Sequence, residues 1–283
     1  MKLFSILGAR RRPHIPAPAT KPCTRTFAEA WGQVLADRDR VPKDRALAED
    51  ATLAAWGAKH GMTSEELDPS PPGRKGHFMR LASGTKYWPI DPRPEEVFID
   101  DIAVSLARQC RFNGHIREDL PFYSVAEHSI LISFLVPREW RLEALLHDSP
   151  EFAIGDIIRP IKVLPEVAAV VKPIEERNER VIAERFGLKW PFHPCIKAAD
   201  TALCGTELLT VMRGAAPNGA EGRDFPAIEI PCWSPADAQR HFLNRFFELI
   251  MERDAEKACL AGETFFRPRI QEFMSPVALR MAA

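Results

Sequence analysis

The sequence holds no C-x-x-C pair. Its six cysteines, Cys23, Cys110, Cys195, Cys204, Cys232 and Cys259, are scattered singly. That spacing argues against a structural zinc knuckle and a disulfide framework, and it fits free thiols in a reducing compartment. Nor is there an apolar run of the roughly 18 residues that a membrane-spanning helix takes. The leading run Leu3–Leu7 contains Ser5 and is stopped by Arg10, Arg11 and Arg12, short of the about 7–15 apolar residues of a secretory signal. The expectation is a cytoplasmic protein with no membrane partner. Charge of one sign is also missing: Lys+Arg 38 against Asp+Glu 39 leaves a net charge of -1. Without a whole-molecule field, polymeric nucleic acid is not an expected partner, whereas a small anionic substrate depends on local charge and stays open. No G-x-x-x-x-G-K-[ST] loop is present, which excludes a P-loop kinase or ATPase. No G-x-S-x-G nucleophile elbow is present either. Alternating apolar runs are scarce, so little sheet is expected. The best strand candidate, FPAIEIPCW over 225–233, has proline near both ends, which weakens it.

What is present is the composition of an ordinary soluble globular protein, 46% hydrophobic and 27% charged. The length suits one generous domain or one domain with extensions. Residues 1–26, rich in Pro, Ala and Arg, read as a flexible arm. Residues 27–75 read as a helical extension carrying Trp31 and Trp56, followed by the linker DPSPPGRKG at 68–76. A compact region covers 76–253, and 254–283 reads as an irregular tail. Within the compact region the opening is turn-rich up to Pro94. Helical spacing then recurs at about 99–110, 124–136, 138–153, 172–186, 194–213 and 235–252. The fold class is all-α.

Chemistry concentrates in four segments: RFNGH (111–115), SVAEHS (124–129), ALLHDSPEFAIGDIIRPIK (144–162) and IKAAD (196–200). His147 and Asp148 sit side by side at the end of the apolar stretch Leu142–Leu146. His128 interrupts one apolar helix and Asp200 another. Polar groups buried at such positions need a cation or hydrogen bonds. Each alone has a bland reading as a hydrogen-bonded core residue or a local cap. In order, and at intervals that suit successive packed helices, they make a His/His/Asp/Asp set suited to Mn, Co, Zn or Fe. Glu151 follows Asp148 by three positions and shares its face on a continuing helix. Pro150 argues for a kink or an end there, through its clash with the carbonyl four residues back. Asp156, after Gly155, either returns to the site or caps a turn. Arg111, Arg159, Lys162 and Lys197 surround this acidic centre. Arg111 has the fork that suits a phosphate, and Phe112 either meets a base or packs in the core.

The ordered H…HD…D text resembles the signature of the HD phosphohydrolase superfamily. The fuller run SVAEHS, ALLHDSPEFAIGDIIRPIK and IKAADTALCGTE is similar to its bacterial 5′-deoxynucleotidase branch and to related phage deoxynucleotide triphosphohydrolases. The likeness covers about residues 80–250. It implies a helical bundle with His128, His147, Asp148 and Asp200 as ligands of a divalent transition metal. It also implies Glu151 and Asp156 as the acidic pair that handles protons, and Arg111 as a phosphate contact, with Phe112, Arg159 and Lys162 as further candidates for nucleotide binding. The implied activity is release of phosphate from deoxynucleoside 5′-monophosphates. Triphosphate release from deoxynucleoside triphosphates is the alternative, and a non-catalytic nucleotide-binding protein is a second one. A homo-oligomer follows by analogy only.

Overall fold

A computed structural model describes residues 71–213, 225–261 and 270–278. The arm over 1–26 and the extension over 27–70, with Trp31 and Trp56, lie outside the described residues. The end of the expected linker belongs to the domain. Arg74 is almost wholly buried, with Nη1 2.5 Å from Glu96 Oε1, Nε 3.1 Å from Asp91 Oδ2 and its guanidinium 3.9 Å over the Trp88 ring. A guanidinium given two carboxylates and an aromatic face has little reason to return to water.

The described residues are mostly helical, 61% helix against 3% strand, as the all-α reading expects. The turn-rich opening hides a small antiparallel hairpin, β1 (Met79–Arg80) against β2 (Lys86–Tyr87). Asp101 pins its tip by accepting from Ser83 N (2.8 Å) and Ser83 Oγ (2.7 Å). Helix α1 (Ile99–Arg108) follows, with Asp100 and Asp101 in the first turn, where the helix dipole favours carboxylates. Helix α2 (Val125–Leu135) is central and nearly all buried, the signature of an element packed on every side. Ser124 opens it by accepting from Glu127 N at 3.0 Å.

The single helix expected over 138–153 is two short pieces, α3 (Arg141–Leu145) and α4 (Glu151–Ile154). Between them Ser149 N bonds to Leu146 O and Glu151 N to Asp148 O. Pro150 has no N–H to give to Leu146 O, so the chain passes from helix to three-residue turns at His147-Asp148. Helix α5 (Arg159–Lys162) leads into α6 (Pro165–Phe186), then α7 (Pro194–Thr210) and α8 (Pro235–Ala261). α6 starts earlier than expected. Its first turns are largely exposed, with Val170 63% accessible, so no amphipathic period marks them. For the same reason α8 continues past 253.

One core cluster joins α1, α2, α3 and α8 with Ile182 and Phe186 of α6, and a second joins α2, Ala144 and α7. The strand expected over 225–233 is irregular chain outside any sheet among the described residues. Ile228, Ile230 and Cys232 pack it against the second cluster. The tail is not wholly irregular: Met274 and Ala278 enter the core, and Ser275 Oγ donates to Asp100 Oδ2 at 2.6 Å.

Candidate metal centre

His128 lies in the buried centre of α2, where an imidazole needs a partner on each nitrogen. Its Nδ1 is 2.5 Å from Glu207 Oε1. Glu207 also accepts from Tyr123 Oη at 2.5 Å and from Arg111 Nη2 at 3.2 Å. With the Nδ1 proton engaged by that carboxylate, the Nε2 atom faces the other way. It stands 3.3 Å from Asp200 Oδ1 and 3.6 Å from Asp148 Oδ2, without hydrogen-bond geometry to either.

His147 arrives differently. At the end of α3 the last carbonyls lack helical partners, and Ala144 O accepts from His147 Nδ1 at 2.8 Å. That bond leaves Nε2 buried with no hydrogen bond, 3.2 Å from Asp148 Oδ1. Asp200, two turns before Glu207 on α7, completes a group: His128, His147 and Asp200 each offer one ligand atom, all within 4.8 Å of one another. Asp148 falls outside that group of three, although its oxygens lie beside both imidazoles. The donor set fits a divalent transition ion, since two neutral imidazole nitrogens and carboxylate oxygens are its usual ligands. Two orphaned Nε2 atoms of opposite origin, each with its other nitrogen fixed by a hydrogen bond, are the arrangement that metal-binding histidines adopt.

The charged groups of the site shift one another. Burial by itself would raise the Asp148 carboxyl, but His147, His128 and Arg111 outweigh it and hold Asp148 well below the usual range. Asp200 is held low likewise, against burial, by His128, His147 and Lys197. Burial and Arg111 oppose a proton on His128, yet Glu207 and Asp200 prevail and push its pKa up to about 9. Glu151 is the opposite case. Burial, then Asp148 and Asp156, raise its carboxyl well above normal, and its Oε2 has no hydrogen-bond partner. Asp156 is also raised by burial, with its N–H bonded to Gln109 Oε1 at 2.9 Å.

A cavity of about 250 Å³ opens here. It is lined by His147, Asp148, Glu151, Lys162 and Asp200 from the expected set, together with Glu175, Glu179, Phe192 and His193. His128 is fully buried and is not among the residues that line the cavity. Arg111 does not line the cavity: its guanidinium lies between Glu207 and Asp148, with Nη1 3.6 Å from the latter. The left-handed turn at Phe112 (φ 55°) and Asn113 (φ 53°) follows it, and Phe112 packs against the second core cluster. Phe112 thus takes the core-packing alternative. Arg159 is exposed and also stands outside the lining. Sequence reasoning missed Glu207, whose signal was a second acid seven residues after Asp200 in the same apolar helix. It also missed Glu127, which accepts from Cys232 N (2.7 Å) and Trp233 N (2.9 Å) and thereby ties the 225–233 segment to α2.

No family model matches the chain. It is 42% identical over 141 residues to the uncharacterized protein RCAP_rcc00048 of Rhodobacter capsulatus, a match covering 45% of this chain and 69% of that one. It is 37% identical over 179 residues to the uncharacterized protein YfdR of Escherichia coli K12, covering 61% of this chain and 95% of YfdR. With nearly the whole of that relative aligned at this identity, the chain belongs to the same family as YfdR.

Proposed function

We propose that the chain is a metal-dependent phosphohydrolase of the HD type that releases phosphate from deoxynucleoside 5′-monophosphates. The observation that carries this reading is the pair of buried imidazole Nε2 atoms without hydrogen-bond partners, grouped with Asp200 and flanked by Asp148 at a cavity. A divalent metal held by His128, His147, Asp148 and Asp200 would supply a Lewis acid for a phosphoryl oxygen and lower the pKa of water. Glu151, whose carboxyl is raised by burial, lines the cavity, where it would give a proton to the leaving oxygen. Asp156, also raised by burial but outside the cavity lining, would be the second acid of the pair. Arg111 serves by holding Glu207 and Asp148 in register, and Lys162 and Lys197 line the cavity as the ion-pair partners of Glu175 and Asp200.

The test joins metal analysis of the full chain with assays for phosphate and for triphosphate release. The expected outcome is bound Mn, Co, Zn or Fe and free phosphate from deoxynucleoside monophosphates, with both lost in His147→Ala and Asp200→Ala. Intact triphosphate released from deoxynucleoside triphosphates would replace the assignment with the triphosphohydrolase. Metal and nucleotide binding without turnover would replace it with a non-catalytic binding protein.

A further inference from the structure

The wall of the cavity away from the metal ligands is acidic, and the proposed phosphohydrolase reading does not account for it. Glu175 and Glu179 project from one face of α6, four residues apart, and both line the cavity with Phe192 and His193. Lys162 Nζ is 2.5 Å from Glu175 Oε1, and Lys197 Nζ is 2.6 Å from Asp200 Oδ2. Each lining lysine is therefore already matched by a carboxylate. Glu179 has no such cation. Its Oε2 accepts only a long bond from Trp190 Nε1, 3.4 Å, among the described residues. Burial, with Glu175 and Glu176 adding to it, raises its carboxyl. The aromatic side is rigid, because the His193 ring stacks on Trp140 with centroids 4.6 Å apart and 18° between planes. The same cavity contains two side chains about nine-tenths buried with an unpartnered polar atom, His147 and Glu151, so the space is built around an occupant.

We infer that Glu179, backed by Glu175, selects the leaving group, accepting hydrogen bonds from hydroxyl or amino donors of a compact phosphate monoester whose ring lies against Phe192 and His193. The inference rests on the phosphohydrolase reading for the chemistry and adds the residue that selects the leaving group. Size and charge point the same way. The cavity, about 250 Å³, is smaller than the roughly 300–1,000 Å³ of drug-sized ligand sites. A monophosphate brings about two negative charges to balance. A triphosphate brings about four and would need cations that are not already matched by carboxylates.

The experiment uses the metal-loaded full chain and compares kcat/KM for deoxycytidine and deoxyadenosine 5′-monophosphates with that for p-nitrophenyl phosphate, whose leaving group has no donor. Wild type should prefer the nucleotides. In Glu179→Ala that preference should shrink tenfold or more, chiefly through KM, and Glu179→Gln, which keeps one acceptor, should retain part of it. A purely structural role would lower both substrates alike and leave the ratio in place, which would overturn the inference. Calorimetric binding of the two deoxynucleotides supplies a readout that needs no turnover. If wild type binds them and Glu179→Ala does so at least tenfold more weakly, the specificity role stands even where hydrolysis fails. If wild type does not bind them, or if both proteins bind equally, it falls.

Discussion

Glu207 shows how one side chain can set the chemistry of another. It is fully buried, and its three donors are Tyr123, His128 and Arg111. By engaging the Nδ1 proton it fixes the tautomer and ring plane of His128, and through Arg111 it reaches Asp148. Carboxylates in this position make an imidazole a stronger ligand, and their loss typically costs about 10–100-fold in metal affinity. Glu207→Gln should therefore bind Mn²⁺ or Co²⁺ about 10–100-fold more weakly by calorimetry, while Glu207→Asp recovers part of the loss. Equal affinity in wild type and Glu207→Gln would show that His128 is oriented by packing alone. Arg111 belongs to the same network. Its fork reads from sequence as a phosphate clamp, but burial beside two carboxylates gives it their charges to balance first.

At the scale of elements, the ends of α1 and α2 carry measurable weight. Ser124 caps α2, so Ser124→Ala should cost about 1 kcal/mol in urea unfolding, the usual loss for such a cap. The same substitution leaves the first turn of the helix that carries His128 less well held. Asp101 gives a pH signature. Burial raises its carboxyl to about 6, opposed by the Ser83 side-chain hydrogen bond and supported by Asp100. A carboxyl whose folded pKa exceeds its unfolded value binds more protons in the folded state between the two. Its contribution is thus most favourable below about 4 and declines as pH rises toward about 6. Relative to Asp101→Asn, wild type should lose on the order of 3 kcal/mol of stability between pH 4 and pH 7. A wild-type-minus-variant difference that stays flat across that window would mean that the Asp101 charge is not felt in the folded protein.

For the whole molecule, the candidate metal ligands come from three separate elements: α2, the turn between α3 and α4, and α7. Binding there links parts of the chain that belong to both core clusters, so an ion that binds only the folded form must stabilise all of it. At a free metal concentration one hundredfold above Kd the gain is about 2.7 kcal/mol. Thermal unfolding should shift up with Mn²⁺ or Co²⁺ and down with a chelator, and His147→Ala should abolish the shift. A rise that persists unchanged in His147→Ala would place the stabilising ion elsewhere. No helix among the described residues is long and apolar enough to cross a membrane.

The sequence by itself determined the helical class and the main helical segments, because burial on one face writes a period into α1, α7 and most of α8. It also offered the candidate metal ligands, since an acid or imidazole in an apolar helix, such as Asp200 or His128, cannot be left without a partner. It left the first turns of α6 and the last turns of α8 unmarked, since an exposed helix carries no hydrophobic period. The small hairpin at 79–87 was hidden for a similar reason, its two-residue strands being too short to alternate. Tertiary structure alone decided how the candidates are used. It broke the helix at His147-Asp148, joined Glu207 to His128 across the core, turned Phe112 into packing, and placed Lys162 beside Glu175 on the cavity wall while pairing Arg111 with Glu207 and Asp148 outside the lining. Local spacing records which face of a helix is buried, but the partner a buried charge meets depends on which distant helix is packed against that face.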